Sequence, residues 1–157
     1  MRLSENANNL FLDFFDECDR CDPAELPDVQ IYAKRGSWLL TNLFFVDGIT
    51  LGRHVFVNPK LARRDDENLL RVSKSLIVHE LVHVMQYQRL GHWKFLRVYV
   101  SDFWVIFRRK KKWNPGAWFE AYLEIPHEIE AREVASEFSQ WFELEKTIEA
   151  DFSRVPR

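Results

Sequence analysis

The chain is poor in three things: excess charge, long apolar runs and cysteine. Its formal net charge of −2 gives no overall attraction to nucleic acid. No run approaches the roughly 18 uncharged apolar residues of a membrane-spanning helix. The first residues lack the apolar region of a secretory signal, because Asp13 interrupts the short run from Leu10 to Phe15. The sequence therefore predicts a cytoplasmic protein, although export by a dedicated secretion or injection system would leave no trace here.

Cysteine occurs only at Cys18 and Cys21, which form one C-x-x-C pair. A tetrahedral zinc site built on this pair needs two further ligands, and no second pair is present. A redox role needs a stabilised thiolate, which the four acidic residues at positions 16–22 disfavour. We interpret the pair as a feature of a helix end or a loop.

Bulky apolar side chains are abundant instead. Hydrophobic residues make up 46% of the chain and aromatic residues 15%, with thirteen Phe and six Trp. At 157 residues the chain is long enough to bury a core without disulfide or metal support. We expect a single domain over residues 1–157, with its core at about 29–148, and we expect some of the aromatic side chains to line a groove.

The hydrophobic pattern predicts an α+β fold in which a small antiparallel meander follows an N-terminal helix and precedes the other helices. Asp65 or Asp66 is a suitable N-cap for the longest central helix. Asp47-Gly48 is a hairpin signal between the second and third strands. Helices are predicted over residues 4–17, from 65 or 66 to 90, over 93–107 and from 117 or 126 to 148, and strands over 29–32, 38–46 and 49–57.

The most informative segment is the H-E-x-x-H motif from His79 to His83. Residues four apart lie on one helical face about one turn apart, so His79 and His83 can bind a single zinc ion. Glu80 lies beside them, where it can act as general base on a zinc-bound water. Gly91 is a suitable end for this helix. The alternative is a core helix whose two histidines bond to each other or to a buried acid.

A catalytic zinc takes three protein ligands and a water, so a third ligand is needed. The candidates follow Pro126, which suits the first turn of a helix and would place Glu128 opposite the zinc-binding helix. Glu128 is the first choice and Glu130 the second. His127 competes with both, because imidazole is also a good zinc ligand. Without the upstream motif, this segment would be interpreted as a solvated acidic helix face.

Three segments resemble a bacterial family of zinc metallopeptidases, the core domain of extracellular contractile injection systems. Residues 50–57 are similar to its T-x-G-x-x-I strand, residues 76–86 to its L-x-x-H-E-L-x-H-V-x-Q helix, and residues 126–131 to a P-x-E-x-E-A box. The resemblance covers about residues 37–135 and implies a zincin-like fold with a gluzincin-like site in which Glu128 is the third ligand. His127 departs from the apolar or aromatic residue that the family pattern has there.

These observations predict a zinc-dependent peptidase that hydrolyses peptide bonds. Glu80 would take a proton from the zinc-bound water and return it to the leaving amine. Tyr122 is the candidate donor to the developing oxyanion, and Tyr87 and His92 are weaker candidates. The strand at 52–57 is the expected edge along which a peptide or protein substrate lies.

Two other functions fit the same sequence. A non-catalytic zinc-binding module would use the same ligands, but it would not need Glu80. The basic run Arg108, Arg109, Lys110, Lys111 and Lys112 is flanked by aromatic residues within 104–113, a pattern that suits a membrane surface. The simpler interpretation of this run is a solvated loop between helices.

Overall fold

The computed structural model describes residues 3–18, 28–33, 35–44, 46–64 and 70–152. Within these residues the chain forms six α-helices, a three-stranded sheet and a two-stranded sheet, which confirms the α+β class. The helices are α1 (Glu5–Glu17), α2 (Arg35–Phe44), α3 (Lys74–Leu90), α4 (His92–Arg109), α5 (Pro115–Leu123) and α6 (Pro126–Phe152). The strands are β1 (Gln30–Tyr32), β2 (Gly48–Leu51), β3 (His54–Val57), β4 (Arg63–Arg64) and β5 (Leu70–Arg71).

The three-stranded sheet is mixed, so the predicted antiparallel meander is wrong. Its strand order is β1-β3-β2, with β1 parallel and β2 antiparallel to β3. Parallel neighbours need a crossover between them, and here the crossover contains α2 and β2. The hairpin turn lies between Leu51 and His54 rather than at Asp47-Gly48. Gly52 occupies this turn with a φ of 62°, a conformation that glycine adopts at little cost.

The segment predicted as a strand at 38–46 is helical from Arg35 to Phe44. Its branched and aromatic residues suggested a strand, but among the α2 side chains that the structure describes Ser37 and Thr41 are buried, one helical turn apart. Thr41 donates a hydrogen bond from Oγ1 to the Ser37 carbonyl at 2.9 Å, and Ser37 donates from Oγ to the Tyr32 carbonyl at 2.9 Å. These local bonds satisfy the buried hydroxyls and fix α2 against the end of β1.

The predicted N-terminal helix is confirmed as α1, which Ser4 caps by accepting a hydrogen bond from the Ala7 backbone N–H. Phe14 of α1 meets Phe138 of α6 edge to face, with ring centroids 5.1 Å apart. Cys18 is buried where α1 ends. Cys21 and the predicted N-cap residues Asp65 and Asp66 lie outside the described residues.

Helix α3 is the centre of the core. Nearly all of its side chains from Ile77 to Tyr87 are buried, because the sheet, α4 and α6 all pack against it. It begins at Lys74, later than predicted, since β5 occupies positions 70–71. The predicted end at Gly91 is confirmed: Gly91 has a φ of 78° and its N–H bonds to the Tyr87 carbonyl at 2.8 Å. The chain enters α4 immediately afterwards.

The predicted C-terminal helix is two helices, α5 and α6, with a break at Glu124 and Ile125. Asn114 caps α5, where its side chain accepts a hydrogen bond from the Ala117 N–H at 2.8 Å. Pro126 opens α6 as predicted, which places Glu128 in its first turn. None of the described helices is both long and apolar enough to cross a membrane.

Candidate metal centre

Two helices bring the predicted ligands together. His79 and His83 point from α3 toward Glu128 in the first turn of α6. The two imidazole Nε2 atoms are 3.2 Å apart. His79 Nε2 lies 3.3 Å from Glu128 Oε2, and His83 Nε2 lies 3.2 Å from Glu128 Oε1. Two histidines of α3 and a distant carboxylate of α6 thus converge on one point.

This arrangement fits a divalent metal ion such as zinc. Ligand atoms of a tetrahedral zinc site lie roughly 3.3 Å from one another, given bond lengths near 2.0–2.1 Å, and the observed separations are of that size. Glu128 Oε2 is buried, and apart from His79 Nε2 at 3.3 Å the described residues give it no hydrogen-bond partner, so it is available to a ligand. Two imidazoles and a carboxylate are also the donor set of many catalytic zinc sites.

A hydrogen-bonded chain behind His83 sets its tautomer. His83 Nδ1 donates to Gln86 Oε1 at 2.8 Å, so the neutral imidazole carries its lone pair on Nε2, the atom that faces Glu128. Gln86 donates in turn from Nε2 to Glu130 Oε2 at 2.8 Å and to the His127 carbonyl at 3.1 Å. Arg89 donates to the other Glu130 oxygen at 2.6 Å. These hydrogen bonds hold the imidazole in the orientation and the neutral tautomer that a metal ligand requires.

Glu80 is buried near this cluster but is not a member of it. Thr50 of β2 donates from Oγ1 to Glu80 Oε2 at 2.7 Å. Gly48 lies against the other side of the carboxylate, and a Cβ there would overlap Glu80 Oε1. Burial raises the pKa of Glu80, although both histidines and the Thr50 hydrogen bond oppose the rise. The result is an oriented carboxylate that takes up a proton more readily than a solvated one.

The charges of the cluster are strongly coupled. Burial favours a higher pKa for Glu128, but the imidazoles of His79 and His83 outweigh it and hold that pKa far below its usual range. Burial also lowers the pKa of His83, yet contact with the Glu128 carboxylate reverses this and raises it to about 9. The site therefore stabilises positive charge beside Glu128, as a cation-binding site does.

Two tyrosines, Tyr99 and Tyr122, also approach the Glu128 carboxylate. Tyr99 of α4 donates from its hydroxyl to Glu128 Oε1 at 2.6 Å. Tyr122 lies at the end of α5, just before the break that leads to Glu128. Burial, reinforced by the Glu128 carboxylate, raises the pKa of both phenols far above the usual value. Both remain protonated hydrogen-bond donors.

The cluster lies in a cavity of about 620 Å³. Its walls are β2 on one side and α4 and α5 on the other, and most of the lining is apolar or aromatic. This confirms that aromatic side chains line a groove. The aromatic lining residues are Tyr87, Phe95, Tyr99, Phe103, Trp104, Trp118 and Tyr122.

The remaining predicted candidates occupy other positions. Glu130 is paired with Arg89 and Gln86 rather than with the histidines. The His127 ring packs edge to face against Phe95, with centroids 5.1 Å apart. Tyr87 lines the cavity with its ring 4.1 Å from that of Phe95. His92 is at the start of α4, where its imidazole lies over Gly52.

Sequence reasoning assigned no role to Thr50, Gln86 or Tyr99. Gln86 was detectable, because it lies three residues after His83 on the same helix face and forms part of the H-E-L-V-H-V-x-Q pattern. Thr50 opens the T-x-G-x-x-I pattern, but nothing in that pattern relates it to Glu80, which follows 30 positions later. Tyr99 lies 29 positions before Glu128, and no sequence pattern marks it. Comparison with known families, curated proteins and solved structures found no match to this chain.

Proposed function

We propose that the protein is a zinc-dependent peptidase with a zincin-like fold and a gluzincin-like ligand set of His79, His83 and Glu128. The observation that supports this most is the convergence of these three side chains beside a fourth, Glu80, which is buried, oriented and free of the cluster. A site built for a metal alone has no use for such a carboxylate. A hydrolytic site needs one as its general base.

Bound zinc would supply Lewis acidity and lower the pKa of a water ligand to about 7. The chain's own residues supply the proton transfers. Glu80 accepts a proton at the carboxylate that Thr50 and Gly48 hold in place, and later donates it to the leaving amine. Its raised pKa brings it closer to the value that suits a base and acid near neutral pH.

Tyr122 is the proposed donor to the carbonyl oxygen of the scissile bond. It lines the cavity next to Glu128 and stays protonated. A phenol fixed in this position would donate a hydrogen bond as negative charge develops on that oxygen. Tyr99 donates its hydroxyl to Glu128 Oε1 at 2.6 Å and would orient this ligand.

The strand available to a substrate is β2, not the predicted segment 52–57. Strand β3 is central in its sheet and paired on both sides, whereas β2 lies at the edge among the described strands. Residues Gly48 to Leu51 of β2 also line the cavity. An extended peptide added to this edge would pass in front of Glu80.

A first experiment tests the metal. The protein is purified without added metal, and zinc per chain is measured by elemental mass spectrometry beside a His83→Ala variant. We expect about one zinc per chain in the wild type and a loss in the variant. No zinc, even after titration, would mean that the histidines and Glu128 form a buried ion network instead, and would refute the proposal.

A second experiment separates a peptidase from a structural zinc module. Glu80→Gln keeps the shape of the side chain and the Thr50 contact but cannot take up the proton. We expect unchanged zinc content and melting temperature, with kcat on a fluorogenic peptide mixture reduced by at least about 100-fold. A wild type that binds zinc but cleaves no peptide in the mixture would favour the non-catalytic module.

A further inference from the structure

Helix α4 exposes large apolar side chains beside its packed face. Phe95 and Phe107 are buried, whereas Trp93 is 86% exposed and Val100 is 60% exposed. At 100° per residue, Trp93, Val100 and Trp104 lie on one stripe of the helix. Trp104 is 39% exposed, so the stripe is open at Trp93 and Val100 and partly covered at Trp104. Exposed Trp residues concentrated on one face are a mark of an interaction surface.

Basic residues surround the stripe. Residues 92–112 contain seven Lys or Arg side chains and one acid, Asp102, in a chain whose net charge is −2. Asp102 is half-buried, while six of the seven basic residues are exposed. The exposed ones are Lys94, Arg97, Arg108, Arg109, Lys111 and Lys112. This face is therefore strongly positive although the whole chain is slightly negative.

Side-chain contacts hold the C-terminal end of the face together. Trp113 is 73% exposed, and its ring meets those of Trp104 and Phe107 edge to face at 5.9 and 5.1 Å. The Arg108 guanidinium lies over the Trp104 ring at 5.4 Å. Lys110 alone of the basic run turns inward, where it pairs with Glu120 and Glu124 of α5. That pairing neutralises two acids of α5, while the other four side chains of the basic run stay exposed to solvent.

We propose that this face, from Trp93 to Trp113, docks on an anionic membrane surface. Trp side chains prefer the level of the lipid headgroups, and each Lys or Arg near an anionic surface adds to the attraction. Val100 and Val105 expose aliphatic side chains, which gain from contact with lipid but not from contact with the charged backbone of a nucleic acid. A lipid surface therefore fits the face better. Helix α4 would lie along the membrane rather than cross it.

The docked face borders the cavity, since Val100 and Trp104 belong to both. If the proposed peptidase activity also holds, the substrate is presented at the membrane surface. The docking itself does not depend on that activity. Glu80→Gln should bind vesicles as the wild type does, which keeps the two proposals separable.

Flotation with lipid vesicles tests the proposal. We expect the full chain to bind vesicles that contain phosphatidylserine and to bind pure phosphatidylcholine weakly. Each removed cation should weaken binding about fivefold, so K111Q/K112Q should lose roughly 25-fold. W93A should also weaken binding. The controls on α6, K146Q and L144A, also alter exposed residues and should leave binding unchanged.

Circular dichroism of each variant checks that the fold is retained. Failure to bind phosphatidylserine vesicles would overturn the proposal. So would binding that persists when W93A and K111Q/K112Q are combined, or binding that K146Q and L144A weaken as much. Binding to single-stranded RNA without binding to the vesicles would assign the face to nucleic acid and overturn it as well.

Discussion

At the residue scale, the position of the Glu80 carboxylate depends on Gly48 having no side chain. A Cβ at Gly48 would overlap Glu80 Oε1 and lie 2.7 Å from its Cδ. We therefore expect Gly48→Ala to displace the carboxylate and lower kcat/KM by about 100-fold while zinc content is retained. Gly36→Ala is the control, because no atom lies within 4 Å of a Cβ built there. Full activity in Gly48→Ala would show that the observed Glu80 position is not required.

A substitution at Gln86 tests how the orientation of His83 contributes to the site. Gln86→Leu removes the acceptor for His83 Nδ1 without changing any ligand, so the imidazole loses its fixed tautomer and orientation. Zinc affinity, measured by competition with a chromophoric chelator, should fall by about 10- to 100-fold. Arg89→Ala is the matched control, since it cuts the chain at Glu130 but keeps the bond between Gln86 and His83. Equal losses in both variants would contradict the specific role of Gln86.

The sequence is informative about these residues only where helical spacing relates them. His79, Glu80 and His83 lie within two turns of one helix, so their relation follows from α-helix geometry. Glu128 needed a second argument, from Pro126 and the start of a helix. Thr50 and Tyr99 touch the site only because β2 and α4 pack around α3, and this tertiary packing cannot be inferred from the spacing of residues along the chain.

At the scale of elements, the long helices and the extended segments at 29–32 and 49–57 were predictable, but the topology of the sheet was not. Helix α4 agrees with the predicted 93–107 to within one residue at its start and two at its end. The agreement is close because aromatic residues recur on its buried face at helical spacing. The segment 38–46 was misassigned, since a short run of aromatic and branched residues fits a strand and a helix equally well. Parallel pairing of β1 with β3 depends on that helix, so the error carried through to the sheet topology.

Gly52 in the hairpin turn lies against His92, the first residue of α4. Its φ of 62° is costly for other residues, and a Cβ there would overlap the His92 imidazole. Gly52→Ala should therefore lower the free energy of unfolding by at least about 1 kcal/mol, measured by urea denaturation. The double variant Gly52→Ala/His92→Ala removes the overlap and keeps the backbone strain. Stability equal to the wild type in the single variant would contradict both effects.

At the scale of the whole molecule, the buried core and the candidate site share one helix. Side chains of α3 pack against the sheet and α6 around most of its circumference, and the same helix presents both histidines. The proposed ligand Glu128 comes from α6, so a bound ion would join the two helices that form the centre of the fold. The rigid core thereby fixes the separation of the ligands, which a loop would hold less accurately.

The cavity sets the expected substrate preference. It extends from the cluster along α4, and its lining is mostly apolar, so a bulky apolar side chain beside the scissile bond would gain most from burial. We expect fluorogenic peptides with Phe or Leu at that position to be cleaved with higher kcat/KM than peptides with Ala or Asp. Leu96 lines the cavity, and Leu96→Trp should fill it, which would lower the ratio of kcat/KM for the Phe and Ala peptides by about 10- to 100-fold.

Leu39→Trp places the same change on the exposed surface of α2, away from the cavity, and should leave the ratio unchanged. The ratio distinguishes loss of the pocket from loss of the fold, because unfolding reduces cleavage of both peptides equally. Equal cleavage of Phe and Asp peptides by the wild type would mean that the apolar cavity does not hold the substrate side chain. Edge strand β2 would then have to supply the binding energy through its backbone alone.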